Sequence, residues 1–341
     1  MAILSSVLPL LATTLKFLPS TLILALLLWT LYTLTLHPLS HIPGPFLAKL
    51  SRLYYTYHAS TGRLVSHTHS LHKHYGPLVR IAPNEISSSS ATDIPTIYRL
   101  SDPLPKTDFY ATWAASGISS QPDSFTATDE REHARYRRIV APVYALGNVL
   151  KHEVHVGKCT GLLLEVLAGC ADAGEKVDLG AWVQKYAFDV IGEVAFGRMF
   201  GFLETRRDVG GWIAAVECLM PVLSVAAIAE AWWRPVIMGS AVCVPRVWRA
   251  VRAVEGYQEA TVGIAERRVR EVKEGVAERV DMLQQFCGIA RERGEELGFT
   301  DKEVTLEAWV AMYVAPESIL SGFGRRGRLQ ICCDTVLMVH I

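Results

Sequence analysis

The sequence predicts a mainly α protein with a small β portion, and three observations carry that reading. Apolar residues recur at helical spacing through several long segments of the second half of the chain. Strand character is confined to a short stretch near residue 80, where β-branched residues flank a Pro-Asn pair. A run of 20 residues without a charge, Phe17–Leu36, stands ahead of both. No internal repeat is present.

The apolar run divides the front of the chain. Residues 1–16 form an N-terminal segment and residues 17–36 a transmembrane anchor, since 20 helical residues cross about 30 Å of hydrocarbon. Trp29 and Tyr32 suit the membrane interface, and Lys16 can snorkel at the other end. No small-residue cleavage site follows, which favours a retained anchor over a signal peptide. Lys49, Arg52 and Arg63 lie beyond the span, against only Lys16 and the amino terminus before it, and place the body in the cytosol. Residues 37–46 are a Pro-rich hinge, because Pro43-Gly44-Pro45 cannot continue a helix.

The remaining elements follow in order. Ser51–His74 reads as one helix, ended by Tyr75-Gly76-Pro77. Leu78–Ile86 reads as strand, turn and strand, with Pro83-Asn84 at the turn. Residues 87–128, rich in Ser, Thr, Pro and Asp, are mostly loop. Leu179–Phe196 is a helix with Asp178 as its N-cap, Gly197 past its end, and Val183, Tyr186, Ala187, Val190, Ile191 and Val194 as its buried stripe. A long helix covers Pro245–Val280, and a last one starts at the Thr300-Asp301-Lys302-Glu303 capping box with Leu306, Trp309, Val310, Tyr313 and Val314 on one side. Trp212–Trp233 is apolar, but Glu217, Pro221 and Glu230 make a second span costly, so a buried or membrane-grazing helix pair is expected there.

Composition excludes several functions. The chain has 341 residues with 34 basic and 34 acidic side chains, a balance that argues against nucleic acid as a partner. Seven cysteines show no CxxC spacing and read as reduced thiols. Four histidines between His67 and His74 resemble a metal cluster, yet no Cys, Asp or Glu joins them, so a solvated helix face is expected. His152-Glu153-Val154-His155 spaces its histidines by three where the zincin motif needs four, and a surface position is expected for both. Gly-x-Ser-x-Gly, Walker and Gly-x-Gly-x-x-Gly signatures are absent from the sequence.

The run Asp129–Pro142 carries the most chemistry. Asp129 and Glu132 can form a capping box, and Pro142 marks an end or kink. His133 and Arg137 are four apart and share a helical face, where two donors suit a carboxylate pair or a phosphate. Read alone, the same segment also fits a surface helix in which Glu130 and Glu132 pair with neighbouring arginines.

The order of these pieces resembles the cytochrome P-450 superfamily of haem-thiolate monooxygenases, in its microsomal fungal form and closest to the pisatin demethylase-like group. The resemblance rests on the anchor, on Pro43-Gly44-Pro45, and on Tyr75-Gly76-Pro77-Leu78-Val79-Arg80-Ile81-Ala82-Pro83-Asn84-Glu85. It continues through Glu132-His133-Ala134-Arg135-Tyr136-Arg137-Arg138, like that family's helix C, and Tyr186–Glu193 with Phe196-Gly197, like its helix E. Phe299–Val304 is similar to the start of its helix I. The fold class is then the N-terminal part of the cytochrome P-450 fold behind a transmembrane helix, with residues 47–315 as a partial domain.

The resemblance implies haem b as cofactor, an NADPH-dependent reductase and an apolar small-molecule substrate as partners, and the endoplasmic reticulum membrane as location. It implies hydroxylation or demethylation with O2, in secondary metabolism, and haem propionates held at His133 and Arg137. The family's helix I continues through Ala-Gly-x-Asp/Glu-Thr; here Val314-Ala315-Pro316-Glu317-Ser318 puts proline at the glycine. Glu317 and Ser318 are the candidate acid–hydroxyl pair, although Pro316 is expected to redirect the backbone. Residues 321–341 contain no Glu, and Cys332 and Cys333 lack the Phe-x-x-Gly-x-x-x-Cys-x-Gly context of the axial ligand. No axial metal ligand is therefore expected, residues 316–341 read as an aberrant tail of a C-terminally truncated member, and the chain as given is expected to be inactive. The alternative reading is a non-catalytic, membrane-tethered helical binding protein.

Overall fold

The computed structural model describes residues 2–99, 101–115, 117–240, 243–276, 280–322 and 339–340; at 2–15, 246, 250, 313–322 and 339–340 the description is of the backbone alone. The chain divides into two compact units, Met1–Ser101 with Thr335–Ile341, and Asp102–Asp334.

In the first unit, α1 (Ala2–Leu31) runs on through a π-helical turn at Tyr32–Leu36. Lys16–Leu36 is long and apolar enough to cross a membrane, and its leucines stand exposed. The hinge after it is built around Arg80, which is fully buried although charged. Its Nε and Nη2 donate to the Pro83 carbonyl (3.1 and 2.8 Å), and Nη1 donates to the carbonyls of Thr33 (2.9 Å) and Leu39 (3.3 Å). Main-chain oxygens thus satisfy a cation that no carboxylate neutralises in this set of bonds. The Arg80 amide donates to the Pro43 carbonyl (2.8 Å), and a Cβ at Gly44 would lie 2.2 Å from the Arg80 carbonyl oxygen. Close main-chain approach is therefore why glycine stands between the two prolines.

The helix expected over Ser51–His74 is two helices, α2 (Leu53–Ser60) and α3 (Leu64–Tyr75). Gly62 between them has φ +70, a left-handed turn that ends α2. Strands β1 (Leu78–Ala82) and β2 (Glu85–Ser88) pair antiparallel around Pro83-Asn84, and β3 (Val339–His340) pairs antiparallel with β2. A buried ion pair, Arg52 Nη2 to Glu85 (2.6 Å), fastens the chain before α2 to the start of β2.

The second unit starts with a loop-rich stretch and then packs helices α4 (Glu130–Tyr144), α5 (Glu153–Asp172), α6 (Leu179–Phe196), α7 (Trp212–Ile228), α8 (Pro245–Lys273), α9 (Met282–Leu297) and α10 (Asp301–Gly322). Asp178 caps α6 through the Ala181 amide (3.2 Å), and Gly197 closes it at φ 75. Asp189, fully buried within α6, accepts from the amides of Gly201 (2.8 Å), Phe202 (3.2 Å) and Leu203 (2.7 Å), and so folds the following loop back onto the helix.

α7 lies against α8, and Val216, Met220, Ala226 and Ala227 are buried, which agrees with the buried-helix reading of this segment. By length and composition alone, Glu130–Asp172 and Val209–Ile228 also reach the criteria for a span. Both put residues such as Val140, Val143, Val216 and Met220 into the core of this unit.

α10 departs from the one-sided stripe expected of it. Glu303, Val304, Thr305, Leu306, Glu307, Ala308 and Trp309 are all buried, and α6, α8 and α9 pack around the helix. A helix buried all round is a central element, and its sequence then loses the polar face that marks amphipathicity. α10 also continues through Pro316 to Gly322, where a change of direction was expected.

Candidate functional site

The site is built on α4. Asp129 accepts from the amides of Arg131 and Glu132 (both 2.9 Å), which fixes the start of the helix, and Pro142 is carried inside its last turn. Tyr136, Ile139, Val140 and Val143 face the core, while His133 is partly buried and Arg137 exposed. His133 Nδ1 lies 3.1 Å from Glu130 Oε1. That contact orients the ring and leaves Nε2 without a partner among the described residues. Arg137 makes no hydrogen bond or ion pair among the described residues. The surface-helix reading needed arginines paired with Glu130 and Glu132; instead Glu130 meets His133, and Arg135 reaches the Leu297 carbonyl (2.7 Å) and Gln121 Oε1 (2.8 Å).

Lys106, which sequence reasoning missed, adds charge near this face. Its Nζ donates to the carbonyls of Ser124 (2.7 Å) and Phe125 (3.0 Å). Burial lowers its pKa, the Arg137 charge lowers it further, and Asp123 and Glu130 oppose that shift. Lys106 and Arg137 thus bring two cations to a face that also carries Glu130, and Arg137 has no ion-pair partner among the described residues.

Behind α4, α10 presents a second group that sequence reasoning missed. Glu307, 2% exposed, accepts from Tyr136 Oη (2.8 Å) and Tyr144 Oη (2.6 Å), and burial pushes its carboxyl up to about 7. The same burial, with the Glu307 charge, raises both phenols. Two tyrosines eight residues apart share a helical face, and that spacing was the available signal.

The other sequence candidates separate clearly. Glu317 and Ser318 are carried on the helical backbone of α10, with their side chains outside the described residues. Cys332 and Cys333 also lie outside the described residues. Cys159, Cys170 and Cys287 are buried, and burial pushes the Cys287 thiol up to about 11, away from thiolate character. The histidine run is not a uniformly solvated face: His67 stacks on His58 (centroids 3.5 Å), and His72 bridges the Gly76 carbonyl (3.0 Å) and Ser87 Oγ (2.8 Å). His152 is buried rather than on the surface, and His155 Nδ1 faces Glu193 Oε2 at 3.6 Å. Among the described residues no group of three His, Cys, Asp or Glu could hold a metal ion.

Comparison with known proteins decides the family. The family model for cytochrome P450 matches residues 43–318. The chain belongs to the cytochrome P450 family. It is 37% identical over 293 residues to cytochrome P450 monooxygenase gsfF of Penicillium aethiopicum, covering 86% of this chain and 58% of that protein. It is 34% identical over 225 residues to pisatin demethylase of Fusarium vanettenii, covering 65% of this chain and 44% of that protein. Cytochrome P450 monooxygenase pkfB of Emericella nidulans is 35% identical over 221 residues, 63% of this chain and 44% of its own length. The chain spans about half the length of such curated relatives. Within the cytochrome P450 family, haem is the implied cofactor and a reductase the implied electron source. His133 and Arg137 lie four residues apart on one face of α4, and Arg137 has no hydrogen bond or ion pair among the described residues.

Proposed function

We propose that the whole protein is a membrane-anchored haem monooxygenase that hydroxylates or demethylates an apolar small molecule, and that His133 and Arg137 of this chain hold the haem propionates. The observation that carries the reading is Arg137, a cation with no ion-pair partner among the described residues, four residues along α4 from a histidine whose Nδ1 faces Glu130. When bound, haem supplies oxygen activation at an iron whose thiolate ligand favours O–O cleavage. The chain's own part is binding and orientation. Arg137 offers a planar fork that matches a carboxylate, and His133, with its Nδ1–H given to Glu130, offers Nε2 as a donor to a second carboxylate in its imidazolium form. Lys106 adds positive field while its own protons stay on the Ser124 and Phe125 carbonyls.

The reading extends to an endoplasmic reticulum location with the body facing the cytosol, supported by the exposed apolar helix Lys16–Leu36 and the basic residues after it. A reductase dependent on NADPH is the proposed electron donor. A polypeptide limited to these 341 residues contains no Phe-x-x-Gly-x-x-x-Cys-x-Gly segment. Such a polypeptide is therefore proposed to bind haem without a thiolate and to lack monooxygenase activity.

Titration of the purified chain with haemin in detergent micelles, followed by absorbance, tests both parts. Arg137→Leu and His133→Ala should each weaken binding about tenfold or more, the worth of a charge-assisted hydrogen bond. Equal affinity in the parent and both variants would remove the propionate assignment. A thiolate-type Soret band in the reduced carbon monoxide difference spectrum would overturn the proposed inactivity.

A further inference from the structure

Pro316 stands inside α10, yet the helix runs from Asp301 to Gly322. Proline has no N–H to donate to the carbonyl four residues earlier, and its ring presses against that carbonyl. The carbonyl in question belongs to Met312, which is fully buried, so water is a poor substitute partner. The Met312 carbonyl nevertheless has a donor from another helix: Tyr257 Oη on α8, at 2.7 Å. Tyr257 is 2% exposed, its ring stands edge-on to Trp212 (5.9 Å) and tilted against Trp309 (5.5 Å), and these contacts fix the direction of the hydroxyl.

We propose that Tyr257 supplies to the Met312 carbonyl the hydrogen bond that Pro316 cannot give, and thereby holds α10 helical through the proline. Tyr257 is then a positioning residue for the backbone that carries Glu317 and Ser318. Within a single helix proline turns the chain, because nothing in that helix replaces the bond it cannot make. A hydroxyl from α8, 55 residues earlier in sequence, offsets the loss at the one acceptor the proline strips. The reasoning concerns α8 and α10 only and is independent of whether haem binds.

The test is a double-substitution cycle read by amide hydrogen exchange over residues 313–322, with the full chain in detergent micelles. Tyr257→Phe keeps the ring and removes only the hydroxyl. In the parent it should lower protection of these amides about tenfold, the effect of leaving one buried carbonyl unbonded. Pro316→Ala restores the missing N–H. In that background Tyr257→Phe should change protection by less than about twofold, and the new amide at position 316 should exchange slowly. An equal loss in both backgrounds would make Tyr257 a general packing residue and overturn the proposal, as would no loss in either. Haemin affinity measured alongside separates this result from the propionate assignment, since neither substitution touches His133 or Arg137.

Discussion

Glu307 makes the pH dependence of this fold predictable. Its carboxyl has an ordinary value of 4.5 and is pushed up to about 7, chiefly by burial, with the Asp123 charge adding to the rise and the Tyr144 and Tyr136 hydroxyls opposing it. The folded state therefore holds this proton more tightly than the unfolded chain does. Below 4.5 both states are protonated and the group costs nothing. As pH rises from 4.5 towards 7 the unfolded chain ionises freely while the folded one resists, so stability falls; above 7 the loss is complete. At about 1.4 kcal/mol per pH unit, the gap amounts to about 3 kcal/mol. Glu307→Gln keeps the shape and cannot ionise. Urea unfolding of parent and variant, followed by circular dichroism at about pH 5, 6, 7 and 8, should show the variant gaining on the parent by about 2 to 3 kcal/mol across that range, the rest of the gap lying below pH 5. Parallel pH profiles, or a parent that gains on the variant as pH rises, would refute the assignment of a strained buried carboxylate between α4 and α10.

Two further outcomes follow from buried contacts. Asp189→Ala removes one acceptor shared by three amides of the loop after α6, and should cost about 3 kcal/mol in urea unfolding; a loss below about 1 kcal/mol would mean that water replaces the carboxylate. Gly44→Ala drives a methyl group into the Arg80 carbonyl at 2.2 Å, and should destabilise the first unit by about 3 kcal/mol. Limited proteolysis should then cut residues 37–88 faster than in the parent, and unchanged cleavage there would show that the hinge can shift to accept the side chain.

What was legible in the sequence was local. The ends of α6 were readable from Asp178 and Gly197, the start of α4 from Asp129, and the hairpin from Pro83-Asn84, because caps and tight turns act across two to four residues. His133 and Arg137 could be placed on one face for the same reason, since helical periodicity alone puts residues four apart together. The break at Gly62 escaped because a single glycine inside a helical pattern is tolerated; in the structure residues 61–63 leave the helix, with Gly62 in the left-handed region.

The sequence by itself determined the apolar N-terminal run, the caps of α4 and α6, and the family. Tertiary structure alone decided which polar groups could be buried. Glu307 meets its tyrosines across 171 and 163 residues, Met312 meets Tyr257 across 55, and Arg80 meets Thr33 across 47. A buried carboxylate, an orphaned carbonyl and an unpaired guanidinium each carry a penalty that no neighbour in sequence removes. Their partners arrive only when distant helices and turns pack, so periodicity could mark these residues as inward-facing but not say what would satisfy them.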